Sequence, residues 1–169
     1  EVETSIGKLS LTIGGFIDRL DAVAANGNAN GKNLAERIRV IDYKTGRIST
    51  TRPRELSEVF DPSMLNKHTD YYLQSMLYSI IVSHNRNLNP AQEPVSPGLL
   101  FIQNAGAEDY DPTLKMGKDL ISSIDVYEEE FMKQLKVLIA NIFDKDQPFR
   151  PTDDKHRCEY CPYAALCKS

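Results

Sequence analysis

Leu9, Leu11 and Ile13 alternate with polar residues, and a repeat of two marks a strand with one face to bury. Gly14-Gly15 interrupts the pattern as a bend or bulge. Phe16 to Val23 reads as a second strand, and Asn26-Gly27-Asn28-Ala29-Asn30-Gly31 as the turn that follows it. Arg37 to Tyr43 is a third strand. Its apolar Ile38, Val40 and Ile41 fall on both faces, the mark of a central, doubly covered strand. The two segments around the Asn/Gly turn are expected to pair as an antiparallel hairpin. Thr45-Gly46 ends the third strand, and a polar, proline-punctuated stretch runs on to Thr69. Leu73, Leu77, Ile80 and Ile81, at i, i+4, i+7 and i+8, predict a helix over residues 70–84. Residues 89–98 carry three prolines and read as loop, Leu99 to Gln103 as a short strand, and 106–117 as irregular. Asp125 with Glu128 has the form of a capping box, opening a helix with the stripe Phe131, Leu135, Leu138 and Ile142. From Pro148 a linker leads into a tail. The order predicts an α/β fold with a mixed central sheet flanked by helices.

The 169 residues suffice for one domain, read as a core over residues 1–147 with a tail over 148–169 that belongs to it. No apolar run approaches the roughly 20 residues of a membrane span, and no signal-peptide pattern is present. The sequence starts at Glu1 without a methionine and enters a strand pattern at once, so it is expected to be a piece of a longer polypeptide. The formal net charge of −4 argues mildly against a free-standing nucleic-acid binder, although a metal site needs carboxylates. All three cysteines, Cys158, Cys161 and Cys167, fall in the tail. An odd, clustered set suits metal ligation better than disulfides and implies a reducing, cytoplasmic setting.

Asp42 and Lys44 are two apart on a strand and share a face with Ile38 and Val40. A face that is apolar and then abruptly charged suggests a core ending at a site. Asp18 lies on the partner segment, on the parity of Phe16 and Leu20, where hairpin pairing can bring it across to Asp42. Two close carboxylates bind a hard cation such as Mg²⁺ or Mn²⁺. Such an ion polarises a phosphodiester and acidifies water, while a lysine stabilises developing charge. The Tyr43 carbonyl lies between the two side chains and is a further candidate ligand. Taken alone the triplet says little, since charges at strand ends are commonly solvated.

The wider pattern says more. Gly15-Phe16-Ile17-Asp18-Arg19-Leu20-Asp21, then Val40-Ile41-Asp42-Tyr43-Lys44-Thr45-Gly46, closely resembles the nuclease domains of the RecB family. These are PD-(D/E)XK enzymes, with a restriction-endonuclease-like core, of bacterial DNA-end-processing helicase–nucleases. The resemblance implies metal ligands at Asp18 and Asp42 and a catalytic lysine at Lys44. Gln74-Ser75-Met76-Leu77-Tyr78 resembles the family's Q-x-x-x-Y helix motif, which implies that Gln74 and Tyr78 flank the active site.

Cys158-x-x-Cys161-x-x-x-x-x-Cys167 offers three soft ligands, where an iron–sulfur cubane or a structural zinc wants four. His156 is a candidate fourth for zinc. The tail resembles that of AddB-type nuclease domains and of CRISPR-associated exonucleases of the same fold. That resemblance implies a 4Fe-4S cluster whose first cysteine lies far upstream, clamping the domain's end to its beginning. This sequence holds no such cysteine, and the family's leading N-terminal helix is missing. The expected function is metal-dependent DNA cleavage within a helicase–nuclease for recombination and repair, with DNA and other domains or subunits as partners. The rival readings are a non-cleaving DNA scaffold of the same fold, a CRISPR-associated type of exonuclease, and a small zinc-binding interaction domain. His68 and His84 are further candidate ligands. Arg47, Arg52 and Arg54 are candidate phosphate contacts.

Overall fold

The computed structural model describes residues 1–24, 26–27, 33–34, 36–46, 52–107, 110–150, 156–159 and 161–167. Two compact units form, one from Leu11–Leu138 and the other from Glu1–Ser10 together with Ile139–Ser169.

The chain opens in an antiparallel hairpin of β1 (Val2–Thr4) and β2 (Gly7–Leu9). Gly7 turns it at φ +114°, a conformation that suits glycine. Ser5 then ties the hairpin to the far end of its own unit: its hydroxyl donates to the Phe143 carbonyl at 3.1 Å and accepts from the Lys145 N–H at 3.0 Å. The strand expected over residues 9–13 is corrected, because pairing stops at Leu9 and both Leu11 and Ile13 are exposed. Alternation marks a face to bury but supplies no partner strand. The second expected strand also shortens, to β3 (Arg19–Val23), and leaves Phe16 94 % exposed.

Next come β4 (Asn26–Gly27) and β5 (Asn33–Leu34), paired antiparallel, so the first two residues of the expected turn are strand. Residues 28–32 of that turn lie outside the described residues. The long β6 (Arg37–Lys44) is the centre of the sheet. It pairs antiparallel with β3, Leu20 opposite Val40 and Arg19 opposite Ile41. Val40 and Ile41 point to opposite faces and are both wholly buried, as a doubly covered strand requires. Burial of this kind is worth roughly 1.5–3 kcal/mol per side chain.

The polar, proline-punctuated stretch before Thr69 holds α1 (Ser57–Phe60) and a 3₁₀ turn over Pro62–Lys67. α2 (Thr69–His84) packs on β6 and on β7 (Val95–Phe101). Its buried face keeps only Ile80 of the expected stripe. Tyr72 and Met76 are buried beside it with Ser75 and Ser79, whereas Leu73, Leu77 and Ile81 are half-buried. The small serines let the helix approach β7 closely, and the Ser75 hydroxyl donates to the Gly98 carbonyl at 3.2 Å.

β7 runs parallel to β6 and completes a mixed three-stranded sheet in the order β3-β6-β7. It begins at Val95, within the expected loop, and takes in Pro97 and Gly98. The proline is tolerated because its carbonyl side, and so its missing N–H, faces the outer edge, where the Leu114 N–H donates to that carbonyl at 2.9 Å. Leu99 and Tyr110 continue this cover. The Leu99 N–H donates to Pro112, and the Tyr110 hydroxyl bridges the Phe101 N–H and the Leu99 carbonyl. A raw sheet edge is thereby closed.

Within the segment expected to be irregular, β8 (Lys115–Met116) joins β9 (Asp119–Leu120), which follows it, in a small hairpin. α3 (Asp125–Ile142) buries Phe131 and Leu135, with Phe131 edge-on to Phe60 at 5.1 Å; Leu138 is half-buried and Ile142 exposed. The capping box is corrected. The Ser123 hydroxyl accepts from the Asp125 N–H, while Glu128 turns away to His84 at 2.6 Å. The tail holds two single turns, α4 (His156–Glu159) and α5 (Ala164–Cys167). No helix among the described residues is long and apolar enough to cross a membrane.

Candidate active site

The β3–β6 ladder ends at Arg19 opposite Ile41. One more step in that register sets residue 18 against residue 42. Asp18 stands there, just before β3, and uses its side chain instead of its backbone: the Tyr43 N–H donates to Asp18 Oδ2 at 2.8 Å. A strand residue turns its N–H and C=O to the same side. The Tyr43 carbonyl therefore also faces the side where β3 has ended.

Asp42 continues the face of Val40 and is itself buried, at 7 % exposure. Its Oδ2 accepts no hydrogen bond, but the Lys44 ammonium lies 2.5 Å away as an ion pair. A carboxylate has about four acceptor sites, so one ion pair leaves others for a further ligand. Lys44 is held on two further sides. It donates to Gln74 Oε1 at 3.2 Å and lies over the Tyr71 ring at 4.2 Å. Gln74 in turn donates from Nε2 to the Tyr78 hydroxyl at 3.4 Å, one helical turn along α2. An unbroken line therefore runs Asp42, Lys44, Gln74, Tyr78, with Asp18 joined to it through the Tyr43 backbone.

Three features escaped the sequence. Gly15 lets Tyr78 in, since any Cβ there would lie 2.1 Å from the Tyr78 hydroxyl. Its place in the Gly15-Phe16-Ile17-Asp18 run was the available signal. Tyr71 precedes Gln74 by three on α2, and that spacing alone puts it on the same helix face. On the opposite face of β6, Arg39 donates to Asp21, Asp111 and Thr113, while Arg19 clasps Asp21 at 2.7 Å and donates to the Tyr43 hydroxyl at 3.0 Å. The hydrogen bond to Asp21 raises the Arg19 pKa above its usual value. Burial pushes Asp111 upward, but hydrogen bonds from Thr113 and the charges of Arg39 and Arg37 outweigh it and hold the carboxyl below its ordinary range. This lattice fixes the strand that presents Asp42 and Lys44.

Of the other candidates, His84 pairs with Glu128, and His68 stacks on Tyr71 at 4.9 Å. Arg52 and Arg54 are exposed, and Arg47 lies outside the described residues. In the tail, Cys158 and Cys161 are half-buried and Cys167 is exposed. No group of three or more His, Cys, Asp or Glu side chains stands ready for a metal among the described residues. The Asp18 and Asp42 carboxylates and the Tyr43 carbonyl are nevertheless hard oxygen donors by type. Mg²⁺ is commonly held by one or two carboxylates, with water and substrate phosphate completing the shell. The buried, incompletely partnered Asp42 carboxylate fits such an ion.

A family model described as the PD-(D/E)XK nuclease superfamily matches residues 1–168. No curated protein and no solved structure matches the chain.

Proposed function

The chain belongs to the PD-(D/E)XK nuclease superfamily, and from that premise we propose that it is a nuclease module hydrolysing DNA phosphodiester bonds, with Asp18, Asp42 and Lys44 at its centre. The observation that carries this reading is the buried Asp42 carboxylate joined to a Lys44 that Gln74 and Tyr71 hold in place.

Asp18, Asp42 and the Tyr43 carbonyl are the proposed ligands of Mg²⁺ or Mn²⁺, which when bound stabilises charge on the phosphoryl group and acidifies water. The chain's own groups do the rest. An ammonium has three N–H donors. Asp42 and Gln74 engage two sides of Lys44, which leaves a donor for the attacking water or a phosphoryl oxygen. One fixed donor of this kind is worth roughly 3–4 kcal/mol in a transition state. Gln74 orients the ammonium. The Tyr78 hydroxyl accepts from Gln74 and keeps its own proton for the strand.

The finer reading is exonucleolytic end processing within a helicase–nuclease for recombination or repair, in the cytoplasm, with a CRISPR-associated type of exonuclease as the alternative. The order of the motifs supports it. A net charge of −4 is consistent with neighbouring domains or subunits supplying most of the grip on DNA. Residues 1–147 form the proposed nuclease core and 148–169 its cysteine tail. Cys158, Cys161 and Cys167 are one thiolate short of a four-iron cluster, so a fourth must come from outside this chain. No catalytic step depends on it.

Calorimetric titration with Mn²⁺ separates an enzyme from a scaffold. The wild-type chain is expected to bind Mn²⁺ at least tenfold more tightly than Asp42→Ala. Equal binding by the two overturns the proposed centre.

A further inference from the structure

Beyond Lys44 the site opens into a cavity of about 310 Å³ that the hydrolytic reading leaves unused. Tyr43, His68, Tyr71 and Phe101 all line it, and no carboxylate does among the described residues. The rings are ordered outward from the lysine. Lys44 Nζ lies over the Tyr71 ring at 4.2 Å, and the His68 ring stacks on Tyr71 with centroids 4.9 Å apart and planes 17° from parallel. Tyr71 thus contacts both Lys44 and His68, and both rings line the cavity.

His68 is held there at a cost. It sits at φ 58°, ψ 39°, the left-handed region, between the 3₁₀ turn and α2. Its N–H donates to the Leu65 carbonyl at 3.1 Å, and its carbonyl accepts from the Tyr71 N–H at 3.2 Å. A non-glycine residue keeps that conformation where its surroundings fix it, which is a common feature of ligand sites.

We propose that this cavity is a nucleoside subsite, in which the base beside the cleaved phosphate stacks on the His68–Tyr71 pair while Lys44 meets the phosphate. The proposal rests on the nuclease reading for the place of the phosphate. Rings beside an ammonium whose Asp42 partner lies outside the lining suit a flat uncharged ring joined to an anion. The volume lies at the small end of ligand pockets, which begin near roughly 300 Å³, and so suits one nucleoside. Stacking tolerates every base. The subsite therefore positions a strand without reading its sequence.

The test uses the 169-residue chain and a phosphorothioate single-stranded DNA carrying the fluorescent base 2-aminopurine at each position in turn. Anisotropy reports DNA binding, and quenching reports stacking of the fluorescent base. The wild type is expected to bind and to quench strongly at one position. His68→Asn accepts the left-handed backbone but lacks a ring; it is expected to lose that quenching and to bind about tenfold more weakly. His68→Phe keeps a ring and is expected to retain both signals. DNA binding without quenching, or unchanged quenching in His68→Asn, overturns the subsite and leaves the nuclease reading intact. Failure of the folded wild type to bind the DNA at all overturns the subsite.

Discussion

A methyl group on Gly15 would lie 2.1 Å from the Tyr78 hydroxyl and 2.7 Å from its ring carbon. Neither distance is possible, so the glycine is the space that Tyr78 occupies. Gly15→Ala is expected to push Tyr78 aside and with it the Gln74 amide that steadies Lys44. Cleavage should fall at least tenfold, the order of a lost positioning contact. Because both residues act through one space, Gly15→Ala and Tyr78→Ala should be far from additive in a double-mutant cycle on kcat. Additive losses would break the link.

Lys44 and Asp42 form a pair largely out of water, with side-chain exposures of 16 % and 10 %. Lys44→Met strands the carboxylate, and removing one partner of a buried pair costs about 3–5 kcal/mol. Partial access to solvent places this one near the lower end. Mg²⁺ should restore stability to Lys44→Met more than to the wild type, because the cation then neutralises Asp42. Thermal unfolding of both proteins with and without Mg²⁺ measures this, and equal shifts would argue against a cation beside Asp42.

How much of this was legible follows from which interactions are local. The centre of the sheet was readable because Ile38, Val40 and Ile41 report burial on both faces of β6. α2 was readable as a helix because its apolar residues repeat every three or four. Its buried face was not, since the approach of Ser75 to Gly98 is set by β7, twenty residues on. Residues 11–18 misled: Leu11 and Ile13 continue the alternation from Leu9 and Phe16 opens a second strand-like run, yet a strand also needs a neighbour to bond. Asp18, Asp42, Lys44, Gln74 and Tyr78 were all nameable from their motifs. The parts played by Gly15, Tyr71 and His68 depend on distances between elements that spacing does not encode.

Asp111 carries the pH dependence on the far side of β6. Its folded pKa lies below the ordinary carboxylate value, so it stabilises the fold fully above about pH 4, the unfolded value. That contribution is lost as pH falls through the folded pKa. Asp111→Asn should lower the melting temperature near pH 7 and flatten its decline below pH 4. Parallel acid limbs for variant and wild type would contradict the assignment.

Asn89 is 1 % exposed and closes the turn after α2. Its amide donates to the Glu93 carbonyl at 2.9 Å and accepts from the Glu93 N–H at 2.8 Å. Asn89→Ala leaves two part-buried Glu93 backbone groups unpaired, at about 1–3 kcal/mol in all. The melting temperature should drop by roughly 2–12 °C, given about 2–4 °C per kcal/mol at this size. Cleavage per folded molecule should be unchanged, which an assay well below the melting point checks.

The most direct measurement is Mn²⁺-dependent cleavage of end-labelled linear DNA by the chain, beside its Lys44→Ala variant. The wild type is expected to cleave, and removing the lysine donor to lower cleavage by about a thousandfold. Cleavage that survives Lys44→Ala undiminished, or no cleavage by a folded wild-type chain with Mn²⁺ bound, would contradict the proposed centre.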